Sequence, residues 1–397
     1  MITGFTPSQR AEGLPIALCA LFGRIDRMSL NSRRKRAAGA ARAAGVDALL
    51  VTNLLDVRWL CGFTGSSAAL VLPCPSRKTS RPARRAMLFT DGRYIAQAND
   101  EAVGTQVVIA TRPPLTEACE WIAAARIKRC GFDGTQTTVA GLASMRMAVP
   151  AKKRRTLFVA VDPLVARLRQ VKDAGEIASL RAAAALGCRL FDHILTFIQP
   201  GMREMEVAAE LEHAARLAGA EGMSFETIIA SGQRSALPHG HATQARLPRR
   251  GFVTLDFGVL LDGYCSDMTR TIHIGRATTA ERTAYDAVLE AQEAGVAAVR
   301  AGVVTGDVDE ATRSVLRRAG LDQWFTHSTG HSLGLEIHEE PRLAAKRTEK
   351  LKAGMIVTIE PGIYMPGKFG IRIEDTVLVT RSGCEILTPS PKAWIEL

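Results

Sequence analysis

Apolar and polar positions change their period along this chain, and the changes divide it. Residues 24–45 (RIDRMSLNSRRKRAAGAARAAG) form an Ala/Arg-rich stretch that ends at a Gly-Val-Asp break and gives way to the apolar run Ala48–Thr52. That order predicts a helix and then a buried strand. Further short strands are predicted at Ala68–Leu72, Ala86–Thr90, Thr105–Ala110 and Thr156–Val161, with a Gly-Phe-Asp-Gly turn at 131–134. From Asp162-Pro163 the spacing turns helical over Leu164–Arg169, Glu176–Ile198 (closed by Pro200-Gly201) and Glu204–Leu217. Alternation then predicts strands at Thr227–Ser231, Phe252–Val259, Tyr264–Ile274, Met355–Ile359 and Ile371–Thr380, with helices Ala280–Arg300 and Val308–Ala319 separating the first three from the last two. The pattern predicts an α/β N-terminal domain over residues 24–161 and an α+β domain over 162–397, preceded by a disordered extension, 1–23. No internal repeat of fixed period is present, although the order helix-then-hairpin occurs twice.

Charge sharpens this division. The 397 residues carry a net charge of +11, which by itself suggests nucleic acid or an acidic surface as partner. Residues 1–160 hold 24 Lys+Arg against 10 Asp+Glu, while the remainder holds 27 against 30. The excess is an N-terminal property, concentrated partly in Cys74–Arg85 (CPSRKTSRPARR), which reads as a solvated hairpin loop. It lacks the interleaved aromatic residues that stack on bases, and the cluster Lys152–Arg155 reads as surface in the same way. All eight histidines lie between residues 193 and 338, within the second domain, so metal or acid/base chemistry is expected there.

Eight cysteines without a CxxC pair predict reduced, mostly buried thiols and a cytoplasmic, reducing compartment. No apolar run approaches the ~18–20 residues that cross a bilayer. The apolar stretch Gly13–Gly23 is interrupted by Pro15 and preceded by Glu12, which argues against a signal peptide.

The informative chemistry begins at GFVTLDFGVLLDGYCSDMTRTI. Asp256 and Asp267 stand eleven residues apart around the turn signal Leu261-Asp262-Gly263, so a hairpin is expected to set them across from one another. Two carboxylates so placed repel, and burying both without compensation is costly. A bound cation resolves the conflict, since hard metal ions take carboxylate oxygens; a wet, exposed sheet face is the alternative. A second pair follows, Glu360 before Pro361-Gly362 and Glu374 within Gly370–Thr380. Between the pairs lies THSTGHSLGLEIHEEPR, with His327, His331 and His338 inside twelve residues. One histidine and four carboxylates suit two divalent ions sharing carboxylates.

SDMTRT at 266–271, HSTGHSLGLEIHE at 327–339, EPGIY at 360–364 and GIRIEDTVLVT at 370–380 resemble the family of Xaa-Pro aminopeptidases, Xaa-Pro dipeptidases (prolidases) and methionine aminopeptidases with the pita-bread, or creatinase, fold. DALLVTNLLDVRWLCGFTGSSAALVL and LFTDGRYIAQA resemble the creatinase-type N-terminal domain, which methionine aminopeptidases usually lack. The resemblance implies metal ligands at Asp256, Asp267, His331, Glu360 and Glu374. It implies a general base at Glu360, oxyanion and substrate contacts at His338 and His239, and pocket positions at His327, Arg372, Tyr364 and Arg342. The intact ligand set argues against creatinase-like amidinohydrolases and non-catalytic binding modules, the two readings outside the peptidases. Two positions depart from the family pattern: Ser332, often Gly, and His241, often small or apolar. The histidines without a family match, His193, His213, His241 and His273, are expected to be exposed or structural.

The function implied is an Xaa-Pro aminopeptidase that cleaves before a proline at the second position of its peptide substrate, by attack of a metal-bridging hydroxide. A prolidase acting on dipeptides alone is the alternative. Two divalent ions are implied, manganese first, with cobalt or zinc as alternatives. A homodimer is implied as well, with no nucleic acid and no membrane as partner.

Overall fold

The computed structural model describes residues 27–74 and 85–397. The predicted N-terminal extension and most of the basic loop at 74–85 lie outside the described residues. Among the described residues no helix is long and apolar enough to cross a membrane.

The first region is a six-stranded mixed sheet in the order Thr105–Ala110, Ala86–Asp91, Ala68–Pro73, Ala48–Val51, Cys130–Asp133, Phe158–Val161. One face is closed by Cys119 and Ile122 packing on Leu50, Val71, Phe89 and Phe132. The opposite face, with Leu49, Leu70 and Leu88, shares a core with Leu180, Tyr264, Leu333 and Ile356 of the second region. The Gly-Phe-Asp-Gly segment expected as a turn is instead largely the strand Cys130–Asp133, paired in parallel with Ala48–Val51 and Phe158–Val161. Its glycine is used for close packing: a Cβ at Gly131 would stand 3.1 Å from Val46 and 3.3 Å from Val161.

The second region repeats one arrangement, a helix pair laid on an antiparallel sheet. Helix Ala174–Phe197 starts from a capping box, with Asp173 Oδ1 accepting from Glu176 N and Glu176 Oε2 accepting from Asp173 N. It and helix Glu204–Leu217 bury Leu190, Ile194 and Leu211 against Leu255, Phe257 and Ile272. Those last residues belong to a sheet of Ile228–Ser231, Gly251–Phe257 and Met268–Ile274. Helices Thr279–Ala298 and Thr305–Arg318 pack on the other half, whose five-stranded sheet includes Gly330–Ser332, Glu339–Leu343, Ile356–Ile359 and Asp375–Val379. Arg270, fully buried, stitches the halves together: it donates to Asp375 Oδ1 (2.8 Å), to the carbonyls of Thr388 (2.9 Å) and Ser390 (2.8 Å), and to the Glu374 carbonyl.

Three strands predicted as continuous are divided: Phe252–Val259 is split between Gly251–Phe257 and Val259–Leu261, which lie in different sheets. Tyr264–Cys265 and Met268–Ile274 belong to different sheets, as do Phe369–Arg372 and Asp375–Val379. The first hairpin also has a different register from the one expected. Leu261 pairs with Tyr264 around Asp262 (φ 54°) and Gly263 (φ 70°), a two-residue turn with both central residues left-handed. The ladder beyond places Asp256 opposite Thr269, so Asp256 and Asp267 share a face as diagonal neighbours rather than facing each other.

Gly263 suits a turn that needs positive φ, which other residues adopt at about 1–2 kcal/mol. Gly263→Ala is expected to lower unfolding free energy by at least that amount in a denaturant titration, because the added Cβ would also collide with the Arg58 guanidinium. Gly383→Ala, where a Cβ meets nothing within 4 Å, should change it little; equal effects at the two sites would contradict this role for the turn.

Candidate metal centre and substrate cavity

Four strand ends and one short strand bring four acids and a histidine together. Asp256 is the second-last residue of Gly251–Phe257, Asp267 directly precedes Met268–Ile274, and His331 is central in Gly330–Ser332. Glu360 and Glu374 lie one step past the last ladder pair, Ile359 with Asp375. They line a cavity of about 470 Å³. Its inner wall holds these residues with buried Arg372 and Tyr364, its mouth holds exposed His239, His241, Glu226, His338 and Arg342, and Phe225, Ile228, Pro238 and Ile337 add apolar surface.

The orientation of His331 decides what this cluster can hold. Its Nδ1 lies 3.0 Å from the Ser332 carbonyl oxygen, which can only accept, so Nδ1 carries a proton. Nε2 is thereby turned toward Asp267 Oδ2 and Glu360 Oε1, each at 3.5 Å. A ring held this way is prepared to ligate through Nε2. Asp267, His331 and Glu374 each offer an atom within 4.8 Å of the others. Asp256 and Glu360 stand outside that trio yet in the same cavity, and Asp256 Oδ1 is buried with no hydrogen-bond partner among the described residues. An orphaned carboxylate oxygen beside three convergent donors fits a divalent cation.

The protonation pattern expresses the same frustration. Burial, then the charge of Asp256, raises the Asp267 carboxyl to about 6 against the hydrogen bond from His331. Burial and the Asp267 charge raise Glu360 to about 7, although His331 opposes them. Burial followed by Asp267 and Glu360 pushes Glu374 well above the ordinary carboxylate range. For His331 burial works downward, but the hydrogen bond with Asp267 and the charge of Glu360 prevail and raise it to about 9.

A polar relay supports the inner wall. Arg372 donates to Asp256 Oδ2 (2.5 Å), the Tyr364 hydroxyl (2.7 Å), Thr269 Oγ1 (3.1 Å) and the Pro238 carbonyl (3.1 Å). Tyr364 in turn lies 2.8 Å from His327 Nε2, while His327 Nδ1 faces the Ser328 carbonyl. His327 Nε2 therefore accepts from the tyrosine, and burial with the nearby Arg372 charge keeps this ring neutral, down at about 4. Thr269 Oγ1 donates to Glu374 Oε2 at 2.7 Å.

The cavity thus gathers all eleven candidate positions. Sequence reasoning missed Thr269, which stands two residues after Asp267 in SDMTRT and carries no chemistry of its own. His241, one of the two family departures, pairs at the mouth with Glu226 (3.2 Å). His193 meets Glu210 (2.7 Å), His213 is exposed, and His273 is buried against Trp394.

Comparison with known proteins places this arrangement. Residues 178–381 match the model of metallopeptidase family M24, and residues 33–171 match the creatinase/prolidase N-terminal domain. The chain belongs to metallopeptidase family M24. A solved structure of an Xaa-Pro dipeptidase from Bacillus anthracis superposes with a TM-score of 0.87 at 39% identity, covering 93% of this chain and 100% of that one. An X-Pro aminopeptidase from Thermotoga maritima gives 0.81 at 34%, covering 90% and 100%. An Xaa-Pro dipeptidase from Pyrococcus furiosus is 42% identical over 59% of this chain and 68% of its own length. The fold is therefore a creatinase-type N-terminal domain followed by an M24 pita-bread catalytic domain, and the protein is a hydrolase of the metallopeptidase class.

Because ligand carboxylates and His331 Nε2 must be deprotonated to bind a cation, affinity should rise as pH passes the raised carboxyl values of about 6 and 7. Calorimetry with manganese is expected to show binding roughly tenfold or more weaker at pH 5.5 than at pH 7.5, with proton release on binding. Affinity independent of pH would contradict the assignment.

Proposed function

We propose that this M24 metallopeptidase cleaves the bond between an N-terminal residue and a following proline, with the free Xaa-Pro dipeptide as its preferred substrate. The observation that carries this is His331 Nε2 facing Asp267 and Glu360, with Asp256 and Glu374 beside them in the lining of a cavity that has apolar surface elsewhere. In this reading Asp256, Asp267, His331, Glu360 and Glu374 hold two divalent ions, manganese first with cobalt or zinc as alternatives. Ions bound there supply Lewis-acid polarisation of the scissile carbonyl and make water acidic near neutral pH.

The chain's own groups do the rest. Glu360, in the cavity lining with Oε1 3.5 Å from His331 Nε2, is placed to take a proton from water and return it to the proline nitrogen. His338 and His239 stand in the cavity lining as donors for the developing oxyanion. An Xaa-Pro bond is a tertiary amide without N–H, so selection falls to the ring, for which Phe225, Ile228, Pro238 and Ile337 offer apolar surface. Of the two arginines in the lining, Arg372 is engaged by Asp256 and Tyr364, whereas the Arg342 guanidinium is exposed at the mouth. Arg342 is suited to the terminal carboxylate of a dipeptide.

The sequence reading put the aminopeptidase first. The Bacillus and Pyrococcus relatives favour the dipeptidase, and the Thermotoga aminopeptidase supports the other. The same reading keeps the division into residues 24–161 and 162–397 and a homodimer with peptide substrates as partners. A cytoplasmic setting is supported by seven free thiols among the described residues.

Manganese-supplemented protein is expected to hydrolyse Ala-Pro faster than Ala-Pro-Ala and to lose activity on chelation. Arg342→Ala should raise KM for Ala-Pro by about 10–100-fold, the worth of one charged hydrogen bond, with kcat little changed. Faster turnover of the tripeptide makes the enzyme an aminopeptidase, and no hydrolysis of either overturns the proposal.

A further inference from the structure

Behind the metal centre lies a buried charge network. Strands Gly330–Ser332 and Glu339–Leu343 pair with Ser332 opposite Glu339, and each of these residues directly follows a site histidine, His331 or His338. The two rings meet edge to face, centroids 4.5 Å apart. Lys172 joins the residues behind them: its Nζ donates to Ser332 Oγ (3.1 Å) and Glu339 Oε2 (3.1 Å). Ser332 Oγ donates onward to the Ile356 carbonyl (2.8 Å), on the strand that leads to Glu360. Ser332, the departure from the usual family glycine, is therefore a junction rather than a neutral replacement.

The other oxygen of Glu339 accepts from Arg169 Nη2 (2.7 Å), and Arg169 Nη1 donates to Asp56 Oδ1 (2.6 Å) in helix Leu54–Cys61 of the N-terminal domain. Side-chain exposure is 1% for Lys172, 5% for Glu339 and 2% for Arg169. Buried ion pairs are poor stabilisers compared with apolar packing of similar volume. Their concentration behind the two histidines needs a different account, and fixed geometry supplies one.

We infer that Lys172 is a positioning residue: its ammonium, held between Ser332 and Glu339, sets where His331 and His338 stand relative to each other, and Arg169 ties that grip to the N-terminal domain through Asp56. The inference rests on the proposed roles of the two histidines. It makes the N-terminal domain a support of the catalytic geometry.

Lys172→Met removes the ammonium but leaves Glu339 charged. Lys172→Met combined with Glu339→Gln removes both charges and carries the test if the single variant does not fold. Full-length wild type and variants are loaded with cobalt(II), and three quantities are read: the visible absorption band, cobalt affinity, and kcat and KM for Ala-Pro. The expected result is an altered cobalt band, affinity or kcat lower by about 10–100-fold, and KM changed far less than kcat. Variants whose cobalt band, affinity and kcat match the wild type would overturn the inference, whatever their melting temperature. Should cobalt-loaded wild type fail to cleave Ala-Pro, the proposed function falls, and the cobalt bands and affinities still decide the role of Lys172.

Discussion

Four carboxylates that no protein group fully neutralises are the constraint on which this structure turns. Removing one ion from water costs several kcal/mol even after relaxation, and like charges in a shared cavity raise that cost. The chain offers limited relief: Arg372 pairs with one oxygen of Asp256, Thr269 donates to Glu374, and protonated His331 lies between Asp267 and Glu360. The rest is left to protons, hence the raised carboxyls, or to cations. A fold that tolerates this cluster does so because the cluster is its working part.

The surrounding architecture keeps the conflict in place. Each acid stands at or next to a strand end, so the ladders fix the backbone and the side chains have little freedom to separate. Arg270 locks the two sheets to each other, and the Glu374 amide donates to the Thr269 carbonyl at 3.1 Å, so neither half can move away without breaking buried hydrogen bonds. The mouth is built differently, from exposed side chains on loops and on the edge strand Glu339–Leu343, as suits groups that must meet a substrate.

Much of this was legible in the sequence. Alternating apolar positions located the strands at whose ends Asp256, Asp267, Glu360 and Glu374 stand, and the glycine-bounded histidines marked the segment between them. What could not be read was register and distance. The hairpin centre was misplaced because the left-handed pair is Asp262-Gly263 alone, which shifts the pairing so that Asp256 meets Thr269. Cys130–Asp133 looked like a turn because its glycine and aspartate dominate local preference, while parallel neighbours on both sides make it a strand. The Lys172, Ser332 and Glu339 junction joins residues more than 150 positions apart, and no local pattern announces such a contact.

The division of charge also takes on a physical sense. The catalytic half is slightly acidic, and its deepest acids are those that a pair of cations would neutralise. The direct test is anomalous diffraction from crystals grown with manganese. The account predicts two anomalous peaks in the cavity, within bonding reach of Asp256, Asp267, His331, Glu360 and Glu374. An empty map there, at a manganese concentration that supports hydrolysis, would contradict it.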